Sequence, residues 1–482
     1  MRMPHSGAPD AQAAPTKASP AQARAEAQDG GEAPARLPVM ASYGVGKFLA
    51  EFLTGGFAAL VFKFYETEVG LSSGLVAAAV VLYSVWNAVN DPIIGFFTSR
   101  PTRLAPRLGR RFPWILLGTV TCALAFVLVF APPLGASKPL LFLWLLVSIC
   151  LYDALYSTWE LNYQSIFPDR FRSAPEREKA AGVGTLVGVL GIAGGAILPT
   201  FVIRYGQPAT YLANGLVFGA VALLAALLLW PGARETPAMI RRFLEQEKAR
   251  TEAPSFARQL AAAFKERNFV AFILLFFFYQ SATISMTASI HYVGDYVLGG
   301  RSTTLIFAGM LSGSLAAVPV WLGLGRLVRS RQALLAAAAA ALSLLCLPLF
   351  FAKSYGAFVA GMFAWGLAFG GFWLMMTPAM ADVIDEIVVK TGKREDGVYL
   401  GFRAFAGRLA YAVQALSFWA IHAATGFAQD RRSASAVLGV RLHTAIVPAV
   451  LLAVGVAAFL RVNTLDAAKA EENRRLLAER GL

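Results

Sequence analysis

Charged, sulfur-containing and imidazole side chains are scarce in this chain. Of its 482 residues only 15% are charged, three are cysteine and four are histidine, whereas 57% are hydrophobic. A soluble domain of this length needs a more strongly charged surface, so a soluble fold is excluded. The cysteines lie inside apolar runs without metal-ligand spacing, which excludes a disulfide framework and a cysteine metal site. They are Cys122, Cys150 and Cys346.

Motifs for enzyme chemistry are also missing. The sequence has no metal-ligand cluster, no nucleophile paired with a base and no glycine-rich loop that would cradle a phosphate. We therefore expect neither an enzyme nor a bound cofactor or metal.

Long apolar runs are what the chain does contain. A membrane-spanning helix takes about 20 apolar residues, and about twelve such runs lie between Ser42 and Val462. The pattern predicts an all-α polytopic membrane protein. The runs begin near Tyr43, Gly74, Phe112, Leu140, Ala180, Leu212, Asn268, Thr303, Gln332, Tyr355, Gly397 and Arg441.

The net charge of +14 comes largely from short basic loops after even-numbered runs. Arginine and lysine of this kind face the cytoplasm, and with an even number of spans both termini are predicted there. Membrane orientation and anionic headgroups explain the charge, so nucleic acid is not expected as a partner. The Ala-, Gly- and Arg-rich composition favours a bacterial inner membrane.

The polar segments divide the chain into five parts. We predict a disordered cytoplasmic tail at 1–38 and six-helix halves at 39–232 and 268–462. A polar linker at 233–267 joins the halves, and 463–482 form a charged, helical tail. This six-plus-six arrangement is typical of a major facilitator fold.

Polar residues within the apolar runs mark a possible path. In the fourth run they recur every three or four residues and so share one helix face. The first run repeats the pattern with Lys47 and Glu51. The residues of the fourth run are Asp153, Tyr156, Ser157, Glu160 and Gln164.

Asp91 is an ionisable residue in a run that has no other charge, and Asn87 lies on the same helix face. Such residues are costly in a bilayer and are functional by default. Arg403 and Arg408 of the eleventh run could compensate the carboxylates in a charge pair between the halves. The alternative is a fixed salt bridge that only holds helices together.

Other polar residues have simpler interpretations. Lys63 is expected to extend outward to the membrane surface, and His291 and His422 to be packed or solvated. Asp382 is expected to belong to a solvated cytoplasmic charge cluster. Two groups of small residues should allow helices to approach closely; they are 312–314, and Gly366 with Gly370 and Gly371.

Several motifs together resemble the glycoside-pentoside-hexuronide:cation symporters, a branch of the major facilitator superfamily. The resemblance covers most of the chain. In the first half the motifs are SYGVG at 42–46, WNAVNDP at 86–92 and GRRFPW at 109–114; in the second they are YVLG at 296–299 and MADVID at 380–385.

The resemblance implies a cation site in which Asp91 supplies a carboxylate and Ser157 a hydroxyl. Where the family has a second carboxylate, this chain has Asn87. One buried carboxylate can carry a proton, whereas sodium prefers several oxygen ligands, so a proton is favoured over sodium as the coupling ion.

The resemblance also implies a solute site. Glu51 and Glu160 match acidic positions that grip sugar hydroxyls, Arg408 matches a basic position and Trp373 a tryptophan. Gln164 replaces an aromatic residue that stacks on a sugar ring, which argues against a galactoside. Arg403 and Arg408 favour an anionic solute such as a uronate.

The sequence thus predicts a monomeric secondary active transporter that carries a small polar, sugar-like or uronate-like solute together with a cation. A transporter of lysolipids or other amphipathic solutes is one alternative. A membrane sensor that binds a solute without transporting it is another.

Overall fold

The computed structural model of the protein describes residues 35–98, 105–241, 264–392 and 396–480. Within these ranges there is no strand; twelve long helices are followed by one shorter helix, and a single helical turn, Ala105–Leu108, lies between the second and third long helices. The long helices are α1 (Leu37–Glu68), α2 (Ser73–Thr98), α3 (Phe112–Val129), α4 (Lys138–Arg170), α5 (Ala174–Val202), α6 (Pro208–Ala233), α7 (Arg267–Val297), α8 (Thr304–Leu327), α9 (Arg331–Phe351), α10 (Tyr355–Thr391), α11 (Asp396–Thr425) and α12 (Ala434–Val462); the short helix is α13 (Ala467–Arg480).

Length and composition allow eleven of these described helices to cross a membrane. The remaining long helix, α11, carries Arg403, Arg408, Gln414 and His422, which lower its apolar character. The predicted all-helical membrane fold is confirmed. The predicted tail at 1–38 lies almost entirely outside the described residues, as does most of the linker at 233–267.

The two sets of six helices meet along three helix pairs. Helix α1 packs on α7, α2 on α11, and α5 on α8. Within the first set α1 also packs on α5 and α6, and within the second α7 packs on α11 and α12. Polar residues on α1, α2, α7 and α11 therefore lie where the halves meet. We call the end where α1 begins and α12 ends the termini end, and the opposite end the distal end.

Small residues bring α8 and α10 into close contact. A Cβ atom at Gly366 would lie 2.2 Å from the backbone oxygen of Met310, and one at Gly313 would lie 2.1 Å from the backbone oxygen of Phe363. Side chains at these positions would force the helices apart. The expectation of close helix approach at these glycines is confirmed.

The first helix of each half ends in a similar way. Both α1 and α7 finish in a π-helical turn, formed by Phe64–Glu68 and Val293–Val297, and a glycine with positive φ soon follows. These glycines are Gly70 (φ 82°) and Gly299 (φ 70°). The turns carry Glu66, Glu68 and Asp295, so equivalent positions of the two halves present carboxylates at the distal end.

A buried carboxylate fixes the start of α3. Glu235, which follows α6, accepts hydrogen bonds from the backbone N–H of Arg111 (2.8 Å) and of Phe112 (3.2 Å). Burial raises the pKa of the Glu235 carboxyl and, with nearby Arg110, lowers the pKa of Arg111 to about 10. This part of the basic loop after α2 is therefore anchored to the helix bundle.

Asp382 does not belong to a solvated cluster, and that expectation was wrong. Its side chain is only 3% exposed and contacts Arg331 Nη1 at 2.8 Å and Arg474 Nη1 at 3.0 Å. Arg474 belongs to α13, which packs on α10. The predicted C-terminal helix is confirmed, and its arginine helps to compensate a carboxylate of the bundle.

The close contact between α8 and α10 generates a stability prediction. Changing Gly366→Ala places a methyl group against the Met310 carbonyl and should destabilise the fold by about 1–3 kcal/mol. Gly323→Ala in α8 is the matched control, because no neighbouring atom lies within 4 Å of the added methyl group. Thermal unfolding in detergent measures both, and equal melting temperatures would contradict the packing argument.

Candidate functional site

An ion pair joins the two halves in the interior of the bundle. Asp91 of α2 contacts Nη1 of Arg408 on α11, and the side chains are only 24% and 17% exposed. Between the apolar surfaces of two helices such a pair is strongly attractive, because little water screens it. The structure thus places a carboxylate of one half against an arginine of the other, as the sequence suggested.

A second carboxylate lies deeper and is held by amides. Asp153 of α4 is 3% exposed. Its Oδ1 accepts a hydrogen bond from Asn87 Nδ2 at 2.7 Å, and its Oδ2 accepts one from Asn90 Nδ2 at 3.1 Å. Asn87 Nδ2 also lies 3.2 Å from the Tyr83 hydroxyl. The Asn87 amide is therefore a donor to a carboxylate on the neighbouring helix.

Asn90 has no role in the sequence analysis, although it follows Asn87 by three residues and lies in the same motif. This spacing places both amides on one helix face, which is the signal that could have found it. The partner on α4 is 63 residues away and could not be identified from helix periodicity.

Two further pairs lie on α1 and α4. Lys47 Nζ contacts Glu51 Oε1 at 2.7 Å, and Gln164 donates to Glu160. Glu160 is within electrostatic range of Lys47, Asp91 and Arg408. Glu160 and the Lys47–Glu51 pair thus share one electrostatic environment with the Asp91–Arg408 pair.

Three predicted site residues have fewer polar contacts. The Arg403 guanidinium lies 5.6 Å from the centre of the Phe276 ring and forms no ion pair with a described residue. Ser157 is fully buried, and its Oγ lacks a hydrogen-bond partner in the described part of the chain. Trp373 is 39% exposed and contacts Phe369.

A charged cluster lies at the distal end and was not predicted from the sequence. Lys63 is 1% exposed, and its Nζ lies 2.8 Å from Asp295 Oδ2 and 3.6 Å from Glu68 Oε1. It also lies 4.3 Å from the centre of the Tyr205 ring. The expectation that Lys63 extends outward was wrong, because a carboxylate of the other half compensates its charge inside the bundle.

Glu66 forms a second link in this cluster. Its Oε1 lies 2.7 Å from His422 Nδ1, and its Oε2 accepts a hydrogen bond from the Tyr292 hydroxyl at 2.6 Å. Arg431 donates to the backbone oxygens of Thr67 at 2.9 Å and Glu66 at 3.1 Å. His422 is therefore packed, as expected, but it also binds a carboxylate of the opposite half.

His291 is buried rather than solvated. It is 1% exposed, and its Nδ1 lies 3.3 Å from the Tyr205 hydroxyl. Together with the Lys63 and Glu66 contacts, this contact ties the halves together at the distal end. At the termini end, the ion pairs of Asp382 with Arg331 and Arg474 lie within one half.

Comparison with known proteins identifies the family. A family model described as MFS/sugar transport protein matches residues 42–465. The chain belongs to this family. MFS denotes the major facilitator superfamily, so the predicted fold is confirmed, and the protein is a transporter of the membrane.

Individual relatives are distant but cover most of the chain. The sodium-dependent lysophosphatidylcholine symporter 1 of Xenopus tropicalis is 23% identical over 446 residues, with 83% of this chain and 82% of that protein covered. The mouse protein of the same name is 24% identical over 468 residues, covering 88% and 85%. The lactose permease of Lactobacillus helveticus is 26% identical over 278 residues, covering 54% of this chain and 41% of that protein.

Among solved structures, the crystal structure of a D-xylose-proton symporter superposes with a TM-score of 0.61. It is 15% identical, and the match covers 90% of this chain and 98% of that chain. This similarity concerns the fold.

The two amides that donate to Asp153, those of Asn87 and Asn90, lead to a stability prediction. Asn87→Ala removes a donor from a buried carboxylate and should destabilise the protein by about 1–3 kcal/mol. If the cost arises from Asp153, the change Asp153→Asn should make the same Asn87→Ala substitution clearly less harmful. A double-mutant cycle of thermal unfolding measures this coupling, and strictly additive effects would rule it out.

The distal cluster leads to a prediction about accessibility. Lys63→Gln removes the cation between Asp295 and Glu68, so the distal end should open more often. A cysteine introduced by Phe418→Cys, where Phe62 and Phe418 meet across the halves, should then react faster with a maleimide added from the distal side.

The control for this experiment is Lys353→Gln, which removes an exposed lysine from the loop between α9 and α10. Labelling that is unchanged in Lys63→Gln, or equally increased in the control, would show that the cluster does not hold the distal end closed.

Proposed function

We propose that this protein is a secondary active symporter that moves a solute by alternating access and couples the movement to a cation. The observation that carries the proposal is the Asp91–Arg408 ion pair, which joins the two halves through groups that a cation and a solute can neutralise. A change of charge at either group alters the attraction between the halves. The distal cluster closes one end in this conformation, as alternating access requires of each state.

We favour a proton as the coupling ion. Asp91 is only partly buried, and its Oδ1 lacks a hydrogen-bond partner in the described structure, so this oxygen is free to accept a proton. A proton there would remove the negative charge beside Arg408. Asn87 and Asn90 donate to Asp153 through nitrogen and so compensate this carboxylate without a cation. Asn87 Oδ1 and Ser157 Oγ lack hydrogen-bond partners in the described structure, and these oxygens support sodium as the alternative, because a sodium site requires oxygen ligands. The names of several relatives, which include the words "sodium-dependent", support the alternative.

In the proposed cycle, the cation weakens the contact between α2 and α11. A proton on Asp91 leaves Arg408 without its partner, and a solute anion can then take that place. Glu51 and Glu160 would accept hydrogen bonds from solute hydroxyls. Release of the proton restores the ion pair after the solute leaves.

The proposed solute is small, polar and anionic, of the uronate or acidic sugar type. Arg403 supports this choice, because it is half-buried among the site helices and has no described ion-pair partner. Trp373 is exposed enough to stack on a sugar ring. The resemblance to the glycoside-pentoside-hexuronide:cation branch and the lactose permease relative point in the same direction.

The alternative solute is a lysophospholipid or another amphipathic solute. It is supported by the lysophosphatidylcholine symporters, which match more than four fifths of the chain. A sensor without transport is a further alternative, and only flux measurements separate it from a symporter.

For either transporter we propose a monomer in a bacterial inner membrane, with the termini end facing the cytoplasm because of its basic loops.

Asp91→Asn tests the coupling. With the carboxylate removed, uphill accumulation driven by a pH gradient should be lost, while exchange of solute across proteoliposomes should remain. Asp385→Asn in α10 is a control that removes a carboxylate from the other half. Sodium-stimulated uptake that is independent of pH would contradict proton coupling, and unchanged uphill uptake in Asp91→Asn would contradict the role of Asp91.

The solute class is tested by thermal stabilisation of the purified protein. Glucuronate, methyl glycosides and lysophosphatidylcholine are compared at two pH values, with and without sodium, since binding to the folded state raises the melting temperature. Stabilisation by glucuronate that Arg403→Gln abolishes, and that Arg326→Gln leaves intact, is the expected result. Stabilisation by lysophosphatidylcholine alone would favour the alternative solute.

A further inference from the structure

A cavity separate from the site of Asp91 and Arg408 opens at the distal end. It has a volume of about 320 Å³ and lies between the end of α5, the start of α8 and the loop that joins α11 to α12. Both halves therefore contribute to its wall. Its size falls in the range of small-ligand pockets and exceeds that of a single small ion.

Two arginines whose side chains have no described polar partner line this cavity. Arg204 follows α5, and Arg432 lies in the loop before α12; both are exposed. Their guanidinium groups form no ion pair or hydrogen bond with any described residue. The neighbouring Arg431, by contrast, is bonded to the backbone of the first half. Two free guanidinium groups at one cavity are suited to an anion with several oxygens.

Buried polar groups without partners also line the cavity. His291 and Thr303 are each 1% exposed, and neither His291 Nε2 nor Thr303 Oγ1 has a hydrogen-bond partner in the described structure. When the Tyr205 hydroxyl donates to His291 Nδ1, Nε2 carries the proton and is a donor. The one carboxylate in the lining, Asp295, is already paired with Lys63. The uncompensated groups are therefore mainly donors.

Exposed apolar side chains follow residues at or beside the cavity on α5 and α8. Thr200 and Thr304 join these helices through a hydrogen bond of 2.6 Å. The next residue along each helix, Phe201 and Leu305, is 73% and 56% exposed. Such side chains on a membrane helix face acyl chains, so lipid can come close to the cavity.

We propose that this cavity binds a phosphate group, supplied by an anionic phospholipid of the distal leaflet or by free phosphate. Because the walls come from both halves, a bound phosphate stabilises the distal-closed state. The exposed Phe201 and Leu305 next in sequence to Thr200 and Thr304 favour the phospholipid as the source. The site is independent of the proposed solute and of its coupling ion.

The test uses the purified full chain in a neutral detergent. One series adds phosphatidylglycerol or phosphatidylcholine in mixed micelles; the other adds inorganic phosphate or chloride at equal ionic strength. The melting temperature gives an apparent affinity for each probe. Stabilisation by phosphatidylglycerol above phosphatidylcholine supports the lipid source, and stabilisation by inorganic phosphate above chloride supports the free anion.

Arg204→Gln and Arg432→Gln are examined as single variants. Each variant should lower the apparent affinity for the stabilising probe by about tenfold or more. This is the loss expected for one charge-assisted hydrogen bond. Arg301→Gln is the matched control, because it removes an exposed arginine from the loop before α8 that does not line the cavity.

Because the guanidinium groups of Arg204 and Arg432 make no described contact, the melting temperatures of both variants without probe should match the wild type. Two results would overturn the proposal. One is a wild-type protein stabilised by neither phosphatidylglycerol nor phosphate; the other is an equal loss of response in Arg301→Gln and in the cavity variants.

Discussion

The need to compensate charge inside an apolar helix bundle is the constraint on which this structure depends. An ionised side chain cannot remain alone there without a large cost in free energy. Asp91 meets this need with an arginine of the opposite half, and Asp153 meets it with two amides of α2. These contacts join α2 to α11 and α2 to α4.

The same constraint acts at the distal end, with a different consequence. Lys63 and Glu66 lie at the end of α1, and both have their partners on the second half. The π-helical turn at the end of α1 carries the carboxylates Glu66 and Glu68. Two separate charge networks therefore hold the halves together, one in the interior and one at the distal end. In the proposed alternating access, both networks are broken and formed again.

Much of the fold could be predicted, because apolar runs of sufficient length specify membrane helices. The starts of α3 and α10 were predicted at Phe112 and Tyr355, where the structure has them. The starts of α5 and α12 lie six and seven residues earlier than predicted, at Ala174 and Ala434. Both helices are capped by serines, Ser173 and Ser433. The first turns of α5 are polar, and a search for apolar runs interprets them as loop.

The site could be predicted only as far as helix faces. The three- and four-residue spacing placed Asp153, Ser157 and Glu160 on one face of α4, but periodicity along one helix does not identify a partner on another. Lys63 shows this limit, because its partner Asp295 is 232 residues away and belongs to the other half. Because Asp295 compensates the charge of Lys63, this lysine is buried and does not extend to the surface as expected.

The central claim is that the charge state of Asp91 controls the contact between α2 and α11. Distances between spin labels at Val89 on α2 and Leu400 on α11, both exposed positions, test it directly. We predict a longer distance at low pH in the wild type, and the same longer distance at every pH in Arg408→Gln, where the ion pair is absent. A distance that does not depend on pH in the wild type, or that is unaffected by Arg408→Gln, would contradict the account.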